Sequence, residues 1–338
     1  MRAIVITRHG GPEVLQIQDR PTPEPKAGEV RIRVKASGIN FADLMARVGL
    51  YPDAPPTPSV VGYEVSGVVE ALGEGVTTLA VGDRVLAFTL FGGYAEQVVV
   101  PALGAVKMPE GMSFEVGAAM PVNYTTAYHM LHHVGSLKAG ERVLVQSAAG
   151  GVGTAAIDLI FAAGAEPIGV ASRSKHDWLR ERGVNKLIAR EEHFMMALQK
   201  VTNHQGVDIF LDSTSEDLRD YYATLAPGGR LIVFGASSMV EGTTRNPFTA
   251  LKKLLTMPRF APLKLMNDNR GVIGVNMNPF AQRAPEKLAA QLQALMVMYA
   301  EGKLHPHVDA TFPPERAGEA HQYLHDRKNK GKVLIVWP

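Results

Sequence analysis

Hydrophobic and polar positions alternate through the first third of the chain and predict short β-strands. At residues 30–35, apolar side chains occupy every second position and cations occupy the others, which is the period of a half-buried strand. Further strand-length runs, separated by glycine-containing turns, lie at residues 3–7, 14–18, 65–72, 84–88 and 94–100. Together these runs predict a small, turn-rich β-barrel that extends to about residue 110.

Helices are predicted at three places around this β-rich region. Residues 40–48 predict one short helix. The four prolines between Pro52 and Pro58 then require an extended loop, because proline lacks an N–H donor. Two further helices are expected at residues 113–120 and 123–134, and Pro121 separates them.

Strands and helices alternate in the middle of the chain. Strands are predicted at residues 143–146, 167–171, 185–188, 207–212 and 230–234, the last preceded by a turn at 227–229, and helices at 154–163, 175–182, 192–201 and 216–225. Such alternation predicts a parallel sheet that is covered by helices on both faces. The overall expectation is therefore an α/β fold with a β-barrel and a doubly wound parallel sheet.

The pattern is less regular towards the end of the chain. Residues 237–270 predict irregular structure, with a basic apolar segment at 250–255 that favours a helix with one solvated face. A strand is predicted at 272–276, a long helix at 285–301, and a final strand at 331–336 that rejoins the first domain.

Composition narrows the function classes. The 338 residues suggest about two domains, and a net charge of +2 argues against a nucleic-acid partner. The chain contains no cysteine, so it forms neither a disulfide nor a thiolate zinc site. No apolar run approaches the roughly 18 residues of a membrane span, and the first apolar run is too short for a signal sequence. We therefore expect a cytoplasmic protein without a membrane span.

A glycine-rich turn at residues 146–153 is the strongest candidate for cofactor binding. It lies between a predicted strand and a predicted helix. Gly150 lets the backbone approach a pyrophosphate, Gly153 lets the helix pack against the strand, and the helix start offers free N–H groups to the anion. The alternative is a turn that binds nothing, and the strands and helices that follow argue against it.

Several motifs in this order resemble the zinc-free quinone oxidoreductases of the medium-chain dehydrogenase/reductase superfamily. They are residues 36–43, 62–64, 81–85, 148–153 and 225–230. Residues 269–274 and 330–333 are similar to the branch that includes vesicle amine transport protein homologues. The resemblance implies a GroES-like catalytic domain over residues 1–122 and 277–338, an inserted Rossmann domain over residues 123–276, and a homodimer.

The resemblance also implies that no metal is bound. Zinc-dependent members of the superfamily hold zinc through a cysteine, a histidine and a second cysteine. The matching positions carry Asn40, Tyr63 and Val122, none of which is a good zinc ligand. Without zinc no Lewis acid stabilises an alkoxide, so alcohol oxidation is not expected. The histidines at positions 129, 132, 133, 305 and 307 are interpreted as structural.

The residues after the second strand of the Rossmann unit favour NADPH over NADH. An NAD enzyme usually places a carboxylate there, whereas this chain has Ser172, Arg173 and Lys175 and no acid before Asp177. The two cations would attract a 2′-phosphate. The alternative is a solvated, basic helix start. The resemblance implies further cofactor contacts at Thr126, Ala149, Gly150, Gly151, Val152, Gly153, Arg190, Phe234, Gly235, Val275, Asn276 and Lys332.

Three further positions match residues that line the substrate cleft of quinone oxidoreductases: Asn40, Asp43 and Tyr51. Asn40 and the Tyr51 hydroxyl can donate hydrogen bonds to a quinone oxygen, and Tyr51 can relay a proton. Each residue also has a structural interpretation. Asp43 can satisfy a turn, and Tyr51 can pack against the proline loop.

Three functions remain open at this point. The first is NADPH-dependent reduction of a quinone. The second is reduction of a carbon–carbon double bond conjugated to a carbonyl, as in an enone, which uses the same hydride geometry. The third is a weakly catalytic, NADPH-binding structural protein.

Overall fold

Two large β-sheets organise the chain, one in each of two units. The computed structural model describes residues 1–235 and 257–338. Unit 1 consists of Met1–Thr125 and Met277–Pro338, and unit 2 consists of residues 126–235 and 257–276. The segment predicted as a basic helix, residues 250–255, lies outside the described residues.

Unit 1 is β-rich, as the alternating pattern predicted. Its strands are β1 (Arg2–Ile6), β2 (Leu15–Asp19), β3 (Glu29–Ile39), β4 (Glu64–Leu72), β5 (Arg84–Phe88), β6 (Gln97–Pro101), β7 (Ala105–Lys107), β14 (Val308–Phe312) and β15 (Lys332–Val336). Strands β1 and β2 form a hairpin, and the large sheet has the order β14-β15-β3-β4-β5-β7 with β6 also paired to β3. In β3, Val30, Ile32 and Val34 are buried while Arg33 is exposed, so the predicted alternation is confirmed.

The final strand joins the sheet of unit 1. Strand β15 pairs antiparallel with β3, and Val333 lies opposite Ile39. The prediction that the end of the chain returns to the first domain is therefore confirmed. This return places the start of β15 beside the end of β3.

The helices of unit 1 are α1 (Phe41–Val48), α2 (Phe114–Ala118), α9 (Met277–Arg283), α10 (Pro285–Ala300) and α11 (Ala317–His325). Helix α3 (Pro121–Tyr128) also begins in this unit. Helix α1 starts after Asn40, whose backbone is extended, and stops at Gly49, whose φ of 75° is the left-handed conformation that ends many helices. Leu44, Ala46 and Val48 are buried in the core.

Unit 2 contains a parallel sheet, which confirms the prediction made from the alternation of strands and helices. Its strands are β8 (Arg142–Val145), β9 (Glu166–Ala171), β10 (Lys186–Ala189), β11 (Val207–Asp212), β12 (Leu225–Val233) and β13 (Gly271–Gly274), in the order β10-β9-β8-β11-β12-β13. Every neighbouring pair is parallel. The helices are α4 (Gly151–Ala162), α5 (His176–Glu181), α6 (Phe194–Val201), α7 (Leu218–Ala223) and α8 (Pro262–Asp268).

Two local predictions for unit 2 were wrong. Residues 227–229 were expected to be a turn before a strand, but β12 runs from Leu225 to Val233. Its pairing with β11 shifts between Val207 and Ile209, so the proline and glycines form an irregularity within the strand. Helix α8 lies in a region expected to be irregular. The helix predicted at 123–134 is present, as α3 followed by a π-helix over His129–Val134.

In the described ranges, no helix combines the length and the apolar character that a membrane crossing requires.

Candidate functional site

Three polar side chains meet where neighbouring strands of unit 1 begin or end. Asn40 follows the last residue of β3, Glu64 is the first residue of β4, and Lys332 is the first residue of β15. Because β15, β3 and β4 are adjacent in the sheet, residues separated by nearly the whole chain are brought into contact. We call these three residues the polar cluster.

The polar cluster is fully buried and internally hydrogen-bonded. The Lys332 ammonium donates to Asn40 Oδ1 at 2.7 Å and to Glu64 Oε1. Asn40 Nδ2 donates to the same Glu64 oxygen at 2.8 Å, and Glu64 Oε2 accepts the backbone N–H of Val122 at 2.7 Å. Glu64 is 0% exposed and Lys332 is 3% exposed. Each charge therefore has partners that replace the water it has lost.

Asp43 connects the start of α1 to the turn before β4. Its carboxylate accepts the backbone N–H of Asn40 at 2.8 Å and that of Gly62 at 3.0 Å. Burial raises the pKa of Asp43 to about 7, and the hydrogen bonds from Asn40 and from the Tyr94 hydroxyl oppose that rise. Because Asp43 is 0% exposed, its contacts favour the structural alternative, in which it positions Asn40.

Tyr51 lies at the end of a row of three aromatic rings. The Tyr51 and Tyr63 rings meet edge to face with centroids 5.9 Å apart, and the Phe91 ring lies 5.2 Å from that of Tyr63. The Tyr51 hydroxyl accepts a hydrogen bond from Asn278 Nδ2 at 3.0 Å. Burial raises the pKa of Tyr51 to about 12, so its phenol is neutral at physiological pH.

The positions that match zinc ligands in metal-dependent relatives are engaged in other contacts. Asn40 and the Val122 backbone both bind Glu64, and Tyr63 packs between two aromatic rings. Within residues 1–235 and 257–338, no group of three or more histidine or carboxylate side chains could hold a metal ion. The His129 and His133 rings stack on each other with centroids 4.8 Å apart.

The glycine turn of unit 2 forms the start of helix α4. Gly150 precedes the helix, and the first turn contains Gly151, Val152 and Gly153 and no acidic residue. A Cβ on Gly153 would lie 2.7 Å from the Ala148 carbonyl oxygen and still closer to that of Ser147, so only glycine fits there. The free N–H groups of this first turn suit an anionic phosphate group.

The residues predicted to choose between NADPH and NADH follow strand β9. Arg173 and Lys175 bound a short 3₁₀ turn directly after Ser172. The Arg173 side chain is 70% exposed, and its guanidinium pairs with Glu192 at 2.5 Å. A 2′-phosphate that binds Arg173 therefore has to share the guanidinium group with the Glu192 carboxylate or displace that carboxylate.

Other cofactor candidates lie at the carboxyl ends of the parallel strands. Arg190 follows β10, and Phe234 and Gly235 follow β12. Ligands of open α/β sheets bind at this edge. Along the chain, Val275 and Asn276 follow β13, Thr126 lies in α3, and Ala149 lies in the turn after β8. Lys332, by contrast, is part of unit 1 and is buried in the polar cluster, so its cofactor contact stays a prediction.

Sequence analysis did not select two residues of the site, Glu64 and Asn278. Glu64 lies within a recognised motif, but nothing in its local pattern identified Lys332 as its partner. Asn278 lies in a stretch without any motif, and only the folded chain brings it to Tyr51.

Two family models match the chain. Residues 26–110 match the alcohol dehydrogenase GroES-like domain, and residues 183–335 match the zinc-binding dehydrogenase model. The synaptic vesicle membrane protein VAT-1 homolog of Danio rerio is 40% identical over 99% of this chain and 70% of that protein. The protein of that name from Homo sapiens is 37% identical over 99% of this chain and 86% of its own length.

Solved structures show the same relationship. A mycobacterial protein complexed with NADPH is 31% identical, with a TM-score of 0.86 over 99% of this chain and 100% of that chain. A mycobacterial quinone oxidoreductase is also 31% identical, with a TM-score of 0.82 over 99% of both chains. CurK enoyl reductase is 27% identical, with a TM-score of 0.85 over 100% of this chain and 99% of that chain.

Proposed function

The chain belongs to the medium-chain dehydrogenase/reductase superfamily, in the branch of the VAT-1 homologues, and from this premise we propose that it is an NADPH-dependent quinone oxidoreductase that works without zinc. It is an oxidoreductase of that superfamily with a nucleotide cofactor. Its fold combines a GroES-like domain with a Rossmann domain.

The polar cluster is the observation that carries the proposal. At one position where a metal-dependent relative has a zinc ligand, this chain has Asn40, whose amide oxygen accepts a hydrogen bond from the buried Lys332 ammonium. The same ammonium is bonded to Glu64. The Lys332 ammonium is thus the cation that lies beside Asn40. Reduction of a carbonyl group by hydride transfer needs a substrate held against the nicotinamide and a hydrogen-bond donor to the carbonyl oxygen, and it does not require a metal.

We assign the donor role to Tyr51. The Asn40 amide already donates to Glu64 and accepts from Lys332, whereas Tyr51 accepts from Asn278 and keeps its own hydrogen. A nicotinamide held by unit 2 would supply the hydride. Tyr51 then donates to the substrate oxygen, while Asp43 and the polar cluster hold Asn40 and the ends of the strands in place.

The proposed cofactor is NADPH. The first turn of α4 offers backbone N–H groups to the pyrophosphate, and Ser172, Arg173 and Lys175 would receive the 2′-phosphate. The similarity to a mycobacterial protein complexed with NADPH supports this choice. We further propose a cytoplasmic homodimer, with residues 1–122 and 277–338 as the catalytic domain and residues 123–276 as the cofactor domain.

A second function, reduction of a carbon–carbon double bond conjugated to a carbonyl, is supported by the similarity to CurK enoyl reductase. Hydride delivery to the β-carbon of an enone also develops negative charge on the carbonyl oxygen, where Tyr51 would donate.

An acceptor panel tests these proposals. Ortho-quinones, para-quinones and enones are each mixed with the enzyme, and oxidation of NADPH or of NADH at the same concentration is followed by absorbance. Faster turnover of quinones with NADPH supports the proposal, and faster turnover of enones supports the second function. Equal rates with NADH refute the cofactor choice, and stoichiometric zinc whose removal abolishes activity refutes the metal-free reaction. Tight NADPH binding without reduction of any acceptor would instead support a weakly catalytic structural protein.

A further inference from the structure

Asn278 contacts Tyr51 although 227 positions separate them in the sequence. Asn278 is the second residue of α9 and is 4% exposed. Its side-chain Nδ2 lies 3.0 Å from the Tyr51 hydroxyl oxygen. Because the Asn278 amide is buried and the Tyr51 phenol is partly buried, this hydrogen bond restrains both groups.

The direction of this hydrogen bond determines what Tyr51 can do. The amide NH2 group only donates, so the phenol oxygen must accept. The hydroxyl hydrogen therefore points away from Asn278. In the described part of the chain, no acceptor receives that hydrogen. Among the described residues, the Tyr51 hydroxyl hydrogen is thus available to a partner other than Asn278.

The ring and the hydroxyl of Tyr51 are held by different neighbours. The edge-to-face contact with Tyr63, at an interplanar angle of 76°, restrains the ring plane. The Phe91 ring packs against the Tyr63 ring and restrains the plane of that ring as well. Packing of this kind does not set the torsion of a hydroxyl group, which rotates to suit its hydrogen-bond partners. Asn278 supplies that missing restraint.

Asn278 also acts on the acidity of the phenol. Burial raises the pKa of Tyr51, the carboxylates of Asp53 and Asp43 add to the rise, and the hydrogen bond from Asn278 opposes it. Asn278 therefore makes Tyr51 a stronger hydrogen-bond donor than the same buried phenol would be without it.

We propose that Asn278 is a positioning residue that holds the Tyr51 hydroxyl as a hydrogen-bond donor to the substrate oxygen. The inference rests on the proposed function, because it assigns a role to the donor of that reaction. It goes further by naming the residue that sets the direction of donation.

A double-mutant cycle tests the proposal. Asn278→Asp keeps the shape of the side chain but makes it an acceptor, which captures the Tyr51 hydrogen. We expect kcat/KM of this variant to fall about tenfold or more, and that of Asn278→Ala to fall less. NADPH affinity should stay within about twofold, since Asn278 is not one of the predicted cofactor contacts. In a Tyr51→Phe background, neither substitution should lower kcat/KM further.

Ionisation of Tyr51 gives a readout that does not depend on turnover. In protein labelled at the tyrosine ring carbons, Asn278→Ala should raise the pKa of Tyr51, whereas Gln291→Ala, which removes another buried amide of unit 1, should leave it unchanged. An unchanged pKa of Tyr51 in Asn278→Ala overturns the proposal, and so do losses that add in full to that of Tyr51→Phe. Failure of the wild-type enzyme to reduce any acceptor refutes the proposed function, while the pKa measurement still decides the role of Asn278. Thermal unfolding identifies any variant that fails to fold.

Discussion

Lys332 and Glu64 form an ion pair that is shut off from solvent, and Asn40 is hydrogen-bonded to both partners. The two residues begin different strands, β15 and β4, on either side of β3. The pair therefore joins the end of the chain to its first third. A buried pair of this kind is costly to form but much more costly to break on one side.

Removal of one partner should destabilise unit 1. In Lys332→Met, Glu64 keeps its charge without its cation, and we expect the free energy of unfolding to fall by about 3–5 kcal/mol in a urea titration. The combined variant Lys332→Met with Glu64→Leu, which removes both charges, should lose less. The control is Lys303→Met, because Lys303 pairs with Glu301 at the surface and is 54% exposed. Its loss should stay below about 1 kcal/mol. A Lys332→Met protein as stable as the control would contradict the expectation.

Asp43 should make stability depend on pH. Its pKa is about 7 in the folded protein against 3.8 for an ordinary aspartate, so between these values the folded chain keeps a proton that the unfolded chain releases. The contribution of Asp43 to the free energy of unfolding therefore falls as pH rises from about 4 to about 7, and it is constant above that range. Urea titrations of wild type and Asp43→Asn at several pH values should show wild type losing stability relative to the variant as pH rises through this range.

The control for this experiment is Asp83→Asn. A hydrogen bond from Lys107 lowers the pKa of Asp83, so that carboxylate is ionised in both states above about pH 5. The difference in the free energy of unfolding between Asp83→Asn and wild type should not change between about pH 5 and pH 8. A flat difference for Asp43→Asn as well would show that Asp43 is ionised throughout, held so by the N–H groups of Asn40 and Gly62.

Arg173 should discriminate between the two nicotinamide cofactors. Arg173→Ala should raise KM for NADPH about tenfold and leave KM for NADH unchanged, because only NADPH carries the phosphate. Glu192→Gln should lower KM for NADPH, since it frees the guanidinium from its carboxylate partner. Arg180→Ala removes another exposed arginine of unit 2, paired with Asp177, and should have no effect on either cofactor. Equal effects of Arg173→Ala on both cofactors would exclude a phosphate contact.

Gly153 should tolerate no side chain. Val at this position would press against the carbonyl oxygens of Ser147 and Ala148, which are backbone atoms and cannot move aside. We expect a loss of about 1–3 kcal/mol in the free energy of unfolding, together with weaker NADPH binding in a fluorescence titration. In Gly271→Ala the new methyl group would lie 3.8 Å from its nearest neighbour, Arg230 Cγ, so that protein should resemble wild type. A fully stable Gly153→Val protein with normal binding would be inconsistent with the close packing of α4.

The main architecture was predictable because strong periodic patterns extend over many residues. The alternation of apolar and charged residues at 30–35 correctly predicted β3. The succession of strand-like and helix-like segments after residue 140 correctly predicted the parallel sheet. The glycine turn was located correctly because strand, turn and helix each have a local signal. These features depend on neighbours in sequence, so the sequence is sufficient to find them.

The parts that could not be predicted depend on distant contacts. The irregular pairing of β12 arises where the chain around Gly228 and Gly229 must fit against β11. Helix α8 has only seven residues, which are too few for a helical period to be recognised in the sequence. Glu64 and Lys332 are 268 positions apart, and no local pattern at either residue identifies the other as its partner. Only the pairing of β15 with β3 brings them together.

The ammonium beside Asn40 belongs to the polypeptide itself. It is therefore present in every copy at a ratio of one to one from the moment the chain has folded. It draws on no cellular store of ions, no chelator can remove it, and no competing ion can replace it. A cell that runs short of transition metals would still make this protein with its internal cation in place.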